Sequence, residues 1–118
     1  MDFKARVNVE PIDAGFKVVF EGCVHSDVAA LERELHRVIV AKPRHVDIDL
    51  AAIDFLSSIG VGTLVGFRNG VVGGGGTVKI IALQKQTDRT LRYARLEKMF
   101  QIEPSAVIAP QKSAEPGK

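Results

Sequence analysis

A chain of 118 residues is long enough for one domain with a real core and too short for two of ordinary size. Hydrophobic residues make up 46% and charged residues 25%, an ordinary balance for a soluble globular chain, and a net charge of +2 is too small to argue for direct nucleic-acid binding. The single cysteine, Cys23, excludes an intrachain disulfide and fits a reducing compartment.

The first six residues contain no apolar signal-peptide core, and no stretch approaches membrane-spanning length. The expected location is therefore the cytoplasm, without membrane insertion. Charge is unevenly divided. Residues 1–59 carry 7 Lys/Arg against 10 Asp/Glu, net −3, and residues 60–118 carry 9 against 4, net +5. Such a bipolar surface suits a protein that docks on partners in a fixed orientation, although chance segregation gives the same count.

Taken in order, residues 3–9 alternate Phe3, Ala5, Val7 and Val9 with Lys4, Arg6 and Asn8. That period of two predicts an amphipathic strand. Pro11 and Gly15 are expected to bracket a turn, and residues 16–21, centred on Val18-Val19-Phe20, form the hairpin partner, closed by Gly22. Ser26 is the expected cap of a helix. Its apolar residues Val28, Leu31, Leu35, Val38 and Ile39 recur at three- and four-residue spacing. Glu34 and Arg37 can pair on its outer side, and Pro43 ends it. Residues 45–50 predict a strand with Val46, Ile48 and Leu50 on one face and Asp47 and Asp49 on the other.

The stretch Ile53-Asp-Phe-Leu-Ser-Ser-Ile-Gly-Val-Gly-Thr-Leu-Val65 reads as strand end, turn and helix start. Ser57 is a suitable N-cap, since its hydroxyl can accept from an orphan N–H of the first turn. Leu56 and Val61 have hydrophobic-staple spacing around it. Ser58 then lies exposed in the first turn. Gly60 and Gly62 are unexpected there, because each costs a helix about 1 kcal/mol relative to alanine. Two together suggest that another surface comes close to the backbone. The helix continues through Leu64, Val65 and Val72, tolerates Gly70 and stops at the four glycines 73–76. Residues 77–83 form an apolar strand containing Val78, Ile80, Ile81 and Leu83. A last helix is expected to be capped by Thr87 or Asp88, with Leu91, Ala94 and Leu96 inside and Arg89, Arg92 and Arg95 outside. Met99, Phe100 and Ile102 pack after it, and Val107-Ile108 is expected to form a short edge strand. From Pro110 the composition is that of a frayed tail. Helices between strands imply crossovers and parallel pairing.

Little of this carries catalytic or metal chemistry. The four glycines sit between a helix and a strand, the reverse of a phosphate loop, and Thr77-Val78 stands where that loop needs Lys-Ser/Thr. They read as a helix C-cap and tight turn. Cys23, His25, His36 and His45 meet no standard zinc spacing and read as scattered surface residues. Asp47 and Asp49 read as a polar strand face, lacking the further oxygens that a cation site needs. Ser57-Ser58 is not a nucleophile elbow, because Leu56 stands where that motif needs glycine; no enzyme, cofactor or metal is expected. The basic face of Lys85, Arg89, Arg92 and Arg95 suits a phosphate or an acidic partner, and a solvated helix face explains it equally well.

The element order, with Asp47-Ile-Asp-Leu50 followed by Phe55-Leu-Ser-Ser-Ile-Gly-Val-Gly-Thr-Leu-Val65, resembles the STAS domain of bacterial anti-sigma factor antagonists over residues 5–103. The resemblance implies an α/β, single-domain, STAS-like fold over residues 1–109, with a mixed central sheet of four or five strands packed against three to five helices, and a flexible tail at 110–118. The family pattern at the second helix is Asp-Ser-Ser/Thr-Gly-Leu-Gly. Against it, Ser58 matches the serine phosphorylated by the partner, Ser57 stands in place of the aspartate, Ile59 stands for the second Ser/Thr, and Gly60 and Gly62 match the glycines. His25 stands where the family's Gly-x-Leu-Asp places a partner-facing aspartate.

The resemblance thus implies a phosphorylation site at Ser58 and a partner-binding set of His25, Ser57, Ser58, Ile59, Gly60 and Gly62. The implied partner is an anti-sigma factor that is also a serine kinase, and a weak homodimer is allowed. Unmodified, the protein would dock on that factor and free the sigma factor; a phosphate on Ser58 would block docking. The alternatives are a non-phosphorylated STAS subunit of a transporter of the lipid-transport ATPase type or of a stress-signalling assembly. A third is a small enzyme or ligand binder using the turn at 57–62 as an anion site.

Overall fold

The computed structural model describes residues 6–21, 28–53 and 55–108. The chain runs β1 (Arg6–Ile12), β2 (Gly15–Glu21), α1 (Val28–Val40), β3 (His45–Leu50), α2 (Ser58–Gly73), β4 (Thr77–Gln84), α3 (Lys85–Tyr93), a 3-10 turn (Pro104–Ala106) and β5 (Val107–Ile108). The five strands form one sheet in the order β1-β2-β3-β4-β5. β1 and β2 are antiparallel, and every later neighbour pair is parallel. This is the mixed sheet expected from the sequence, with α1, α2 and α3 as the segments between its parallel strands.

The sheet is apolar on one side. Val18 and Phe20, Val46, Ile48 and Leu50, and Val78 and Ile80 are buried at alternate positions and share one core with Leu31, Leu35 and Val38 of α1 and Leu64, Phe67 and Val71 of α2. The intervening residues Lys17, Val19, Asp47, Asp49 and Lys79 are half-buried. Parallel strands usually need both faces covered; here charged and polar residues keep the second face compatible with water. On that face His45 bonds Asp47 Oδ1 through Nε2 and Thr77 Oγ1 through Nδ1, each at 2.7 Å. His45 is therefore part of a strand-to-strand cluster rather than a scattered surface residue. Asp49 accepts from Ala51 N–H at 2.9 Å and shapes the exit from β3.

Several expectations need correction. β1 continues through Pro11 to Ile12, and the hairpin turn is only Asp13-Ala14. Pro11 is tolerated because β1 is an edge strand, where a missing N–H breaks no ladder on the outer side. Ile81 is half-buried although the strand around it is apolar, because the β3–β4 register shifts after Ile48. That bulge turns Ile81 away and returns Leu83 to the core beside Leu50. α3 begins at Lys85, with Gln84 in the cap position and no side-chain cap bond. Thr87, expected to cap it, is fully buried inside the helix, and Asp88 lies in the first turn. Ala94 lies outside the core, exposed just past the end of α3, and Leu96 is half-buried. The expected cap at Ser26, the start of the first strand at 3–5 and the closing Gly22 lie outside the described residues.

Other expectations hold. Glu34 and Arg37 approach to 3.4 Å on the outside of α1. Phe100 and Ile102 are buried, and Val107-Ile108 pairs in parallel with Leu83-Gln84.

Candidate functional site

The site is built where β3 delivers the chain into α2. Leu50 is buried at the end of the strand, and Ile53 N–H closes a tight turn onto Leu50 C=O at 3.0 Å. Ile53 and Leu56 anchor the connection in the core, at 0% and 4% exposure. Two residues of β4 and α3 brace it from the side. Gln84 Nε2 donates to Ala51 C=O at 2.8 Å, and the Thr87 hydroxyl donates to Ile53 C=O at 3.1 Å. This explains why neither residue caps α3: both side chains hold the loop that presents the serines.

Ser57 is the N-cap. Its backbone is extended (φ −78°, ψ 171°) and its Oγ accepts from Gly60 N–H at 3.1 Å. Ser57 C=O accepts from Val61 N–H at 2.8 Å as the first helical bond. Ser57→Ala should therefore cost about 1 kcal/mol, read as a lower urea midpoint at unchanged slope. Ser57→Asp should lose nothing, since a carboxylate caps equally well and suits the positive end of the helix.

Ser58 and Ile59 are exposed on the first turn, Ile59 at 52%, and Phe55 just before the cap is 54% exposed. One turn on, Gly62 lies exposed, and a Cβ built on it would meet nothing within 4 Å. Four-residue spacing sets Ser58 and Gly62 one above the other on the same side of α2, with Ile59 next to them. Gly60 is turned inward and buried, and its contribution is the N–H given to Ser57. Of the residues expected to meet a partner, the structure thus groups Ser58, Ile59 and Gly62 outward and sets Ser57 beneath them, half-buried. His25 lies outside the described residues. The first turn of α2 carries no acidic residue, so the helix dipole there is unopposed from within the turn.

Sequence reading missed two features. Phe55 belongs to the apolar run that ends at Leu56, yet it is exposed while Leu56 is buried. Further along, Gly62, Thr63, Gly66 and Phe67 of α2 and Glu32, Leu35, His36 and Ile39 of α1 line a shallow groove of about 170 Å3. Its signal was the repeat of small residues at Ser58, Gly62 and Gly66, four apart.

Comparison with known proteins places the fold. An anti-sigma factor antagonist from Mycobacterium paratuberculosis superposes with a TM-score of 0.71 at 26% identity, covering 86% of each chain. The anti-sigma factor antagonist SpoIIAA in its unphosphorylated form has a TM-score of 0.65 at 13% identity, covering 91% of this chain and 90% of its own. The phosphorylated form of Bacillus SpoIIAA gives 0.62 at 14% identity, covering 91% and 93%. At these lower identities the likeness is one of fold. Among curated proteins no sequence relative was found. The STAS domain model matches residues 23–108, which span β3, α2 with its capped serine pair, β4 and α3, and by that match the chain belongs to the STAS domain family.

Proposed function

We propose that this protein is an anti-sigma factor antagonist, a cytoplasmic binding module of transcription regulation rather than an enzyme, and that its docking surface is controlled by phosphorylation of Ser58. The observation that carries this reading is the exposed Ser58 hydroxyl on the first turn of α2, with the open backbone of Gly62 one turn behind it. The likeness to an antagonist at 26% identity supports it, as does the existence of SpoIIAA, of the same fold, in phosphorylated and unphosphorylated forms.

The partner under this reading is an anti-sigma factor that is also a serine kinase. Unmodified, Ser58, Ile59 and Gly62 form a low surface against which the partner packs. The kinase transfers the γ-phosphoryl group of ATP to Ser58 Oγ, releasing ADP and the hydroxyl proton. The product carries about −1.5 to −2 charges at pH 7. The helix N-terminus stabilises that charge within the free protein. In the complex the same group would be a desolvated dianion in a close contact, so the partner is released and can switch to another target.

Incubation with the cognate kinase and ATP, followed by mass-spectrometric mapping, should place one phosphate on Ser58. Ser58→Asp should bind the partner about tenfold more weakly than wild type, and Ser58→Ala should bind without becoming releasable. Phosphate elsewhere, or none, removes the switch. One observation favours a second reading. Ser57 replaces the carboxylate that the family pattern has beside the modified serine, which suits a STAS subunit of a transporter or signalling assembly that docks by the same surface and is never phosphorylated. Partner binding with no kinase labelling is its expected signature.

A further inference from the structure

α3 presents a second surface that the Ser58 reading does not use. Its inner residues Thr87 and Leu91 are fully buried. Its outer side carries Lys85, Arg89 and Arg92, and Tyr93 at its end is 92% exposed. These four, with Asp88, line one groove of about 340 Å3. Asp88 offsets only one of these cations, since both its oxygens accept from Arg92 Nε at 2.9 Å. Lys85 and Arg89 make no ion pair among the described residues. Exposed Arg95 follows directly. This cluster accounts for much of the positive excess of the second half of the chain.

We propose that this groove docks an acidic segment of a protein partner, at a site separate from Ser58. Three features select that occupant. First, the cations follow one side of a nine-residue helix, a footprint of a few side chains that matches a short run of carboxylates. Nucleic acid of useful affinity usually engages more phosphates, and single strands need several stacking aromatics where this groove has one. Second, α3 has no free apolar face to insert into a membrane, since Thr87 and Leu91 are buried in the core. Third, an exposed tyrosine beside arginines gives a rigid contact that a plain solvated face would not need. Thr87 ties α3 to the loop that leads to Ser57, and α2 and α3 both begin at the C-terminal end of the parallel strands. An acidic segment could therefore steer a partner toward α2 and speed its association.

The test uses the intact protein and three fluorescent probes at low ionic strength: a short Glu/Asp peptide, an oligothymidylate of equal charge, and phosphatidylserine vesicles. The peptide should bind, with affinity falling about tenfold in Lys85→Glu/Arg89→Glu and by a smaller factor in Tyr93→Ala. The control Arg33→Glu/Arg37→Glu on α1 should bind it as wild type does. All of these positions are exposed, and circular dichroism confirms folding. Absence of peptide binding overturns the proposal, as does an equal loss in the α1 control. Tighter binding of oligothymidylate or vesicles with the same α3 dependence replaces it with a nucleic-acid or membrane surface. Ser58→Asp should leave peptide binding unchanged, so failure at α3 and failure at Ser58 are read separately.

Discussion

Gly76→Ala should destabilise the domain by about 3 kcal/mol. Gly76 joins α2 to β4 where that loop rests on the α1–β3 loop. Its N–H donates to Val71 C=O at 2.9 Å, and the next N–H, of Thr77, donates to Arg44 C=O at 3.1 Å. A Cβ at position 76 would overlap the Pro43 carbonyl and come within 2.9 Å of Val71 Cγ1. Neither obstacle can turn aside: one is backbone, and the other is a β-branched side chain buried in the core. The two loops would have to separate, at the cost of the Thr77 bond and of packing around Val71. Gly73→Ala is the control. A Cβ there meets nothing within 4 Å, the position is helical, and alanine should be neutral or stabilising by up to about 1 kcal/mol. Urea unfolding of both variants measures the contrast. Equal stabilities would mean that the loops are not packed this closely. Gly76 lies at the end of the sheet opposite Ser58, so the folded fraction of Gly76→Ala should bind partner as wild type does.

The same glycine run shows how far the sequence could be read. Four consecutive glycines announce the end of a helix and a tight turn, and the structure has both. Only Gly75, at φ +97°, and Gly76, pressed against Pro43, require glycine there, and no one-dimensional pattern separates them from Gly73. The strands were legible where burial alternates, as in β3, because a one-sided sheet imposes a period of two. The pattern broke at Ile81, where a bulge adds one residue and the apolar spacing changes from two to three. The start of α3 was not legible for a different reason. Thr87 and Asp88 have the chemistry of caps, but the Thr87 hydroxyl is claimed by Ile53 C=O, thirty-four residues earlier in the chain. Tertiary demand overrode local preference. At the candidate site, the cap, the exposed serine and the odd glycines were readable because each obeys a local rule. Phe55 and the groove against α1 were not, since exposure and inter-helix spacing depend on how α2 is set against the rest of the chain.

Gly62→Leu should make the protein more stable and a far poorer binder. Within α2 glycine is the worst residue short of proline, and leucine should recover roughly 0.5–1 kcal/mol of helix stability. A Cβ at 62 points into open space, so the side chain meets no obstacle where it leaves the backbone. The chain therefore gains nothing for its own fold from glycine at 62, unlike Gly76. If a partner covers the first two turns of α2, the glycine is explained: it lets another surface approach between Ser58 and Gly66. Leucine would stand in that contact as an extra four carbons, and affinity for the anti-sigma partner should fall about a hundredfold. Gly62→Ala should fall between, with a similar stability gain and a loss nearer tenfold. The opposite signs of the two effects make the experiment decisive, since misfolding cannot mimic a variant that melts higher and binds worse. The Gly62 result is also independent of the kinase. If Gly62→Leu binds normally while Ser58 is still phosphorylated, the switch acts on some other face of the molecule. If binding is lost and Ser58 is never labelled, the surface is a docking site without a switch.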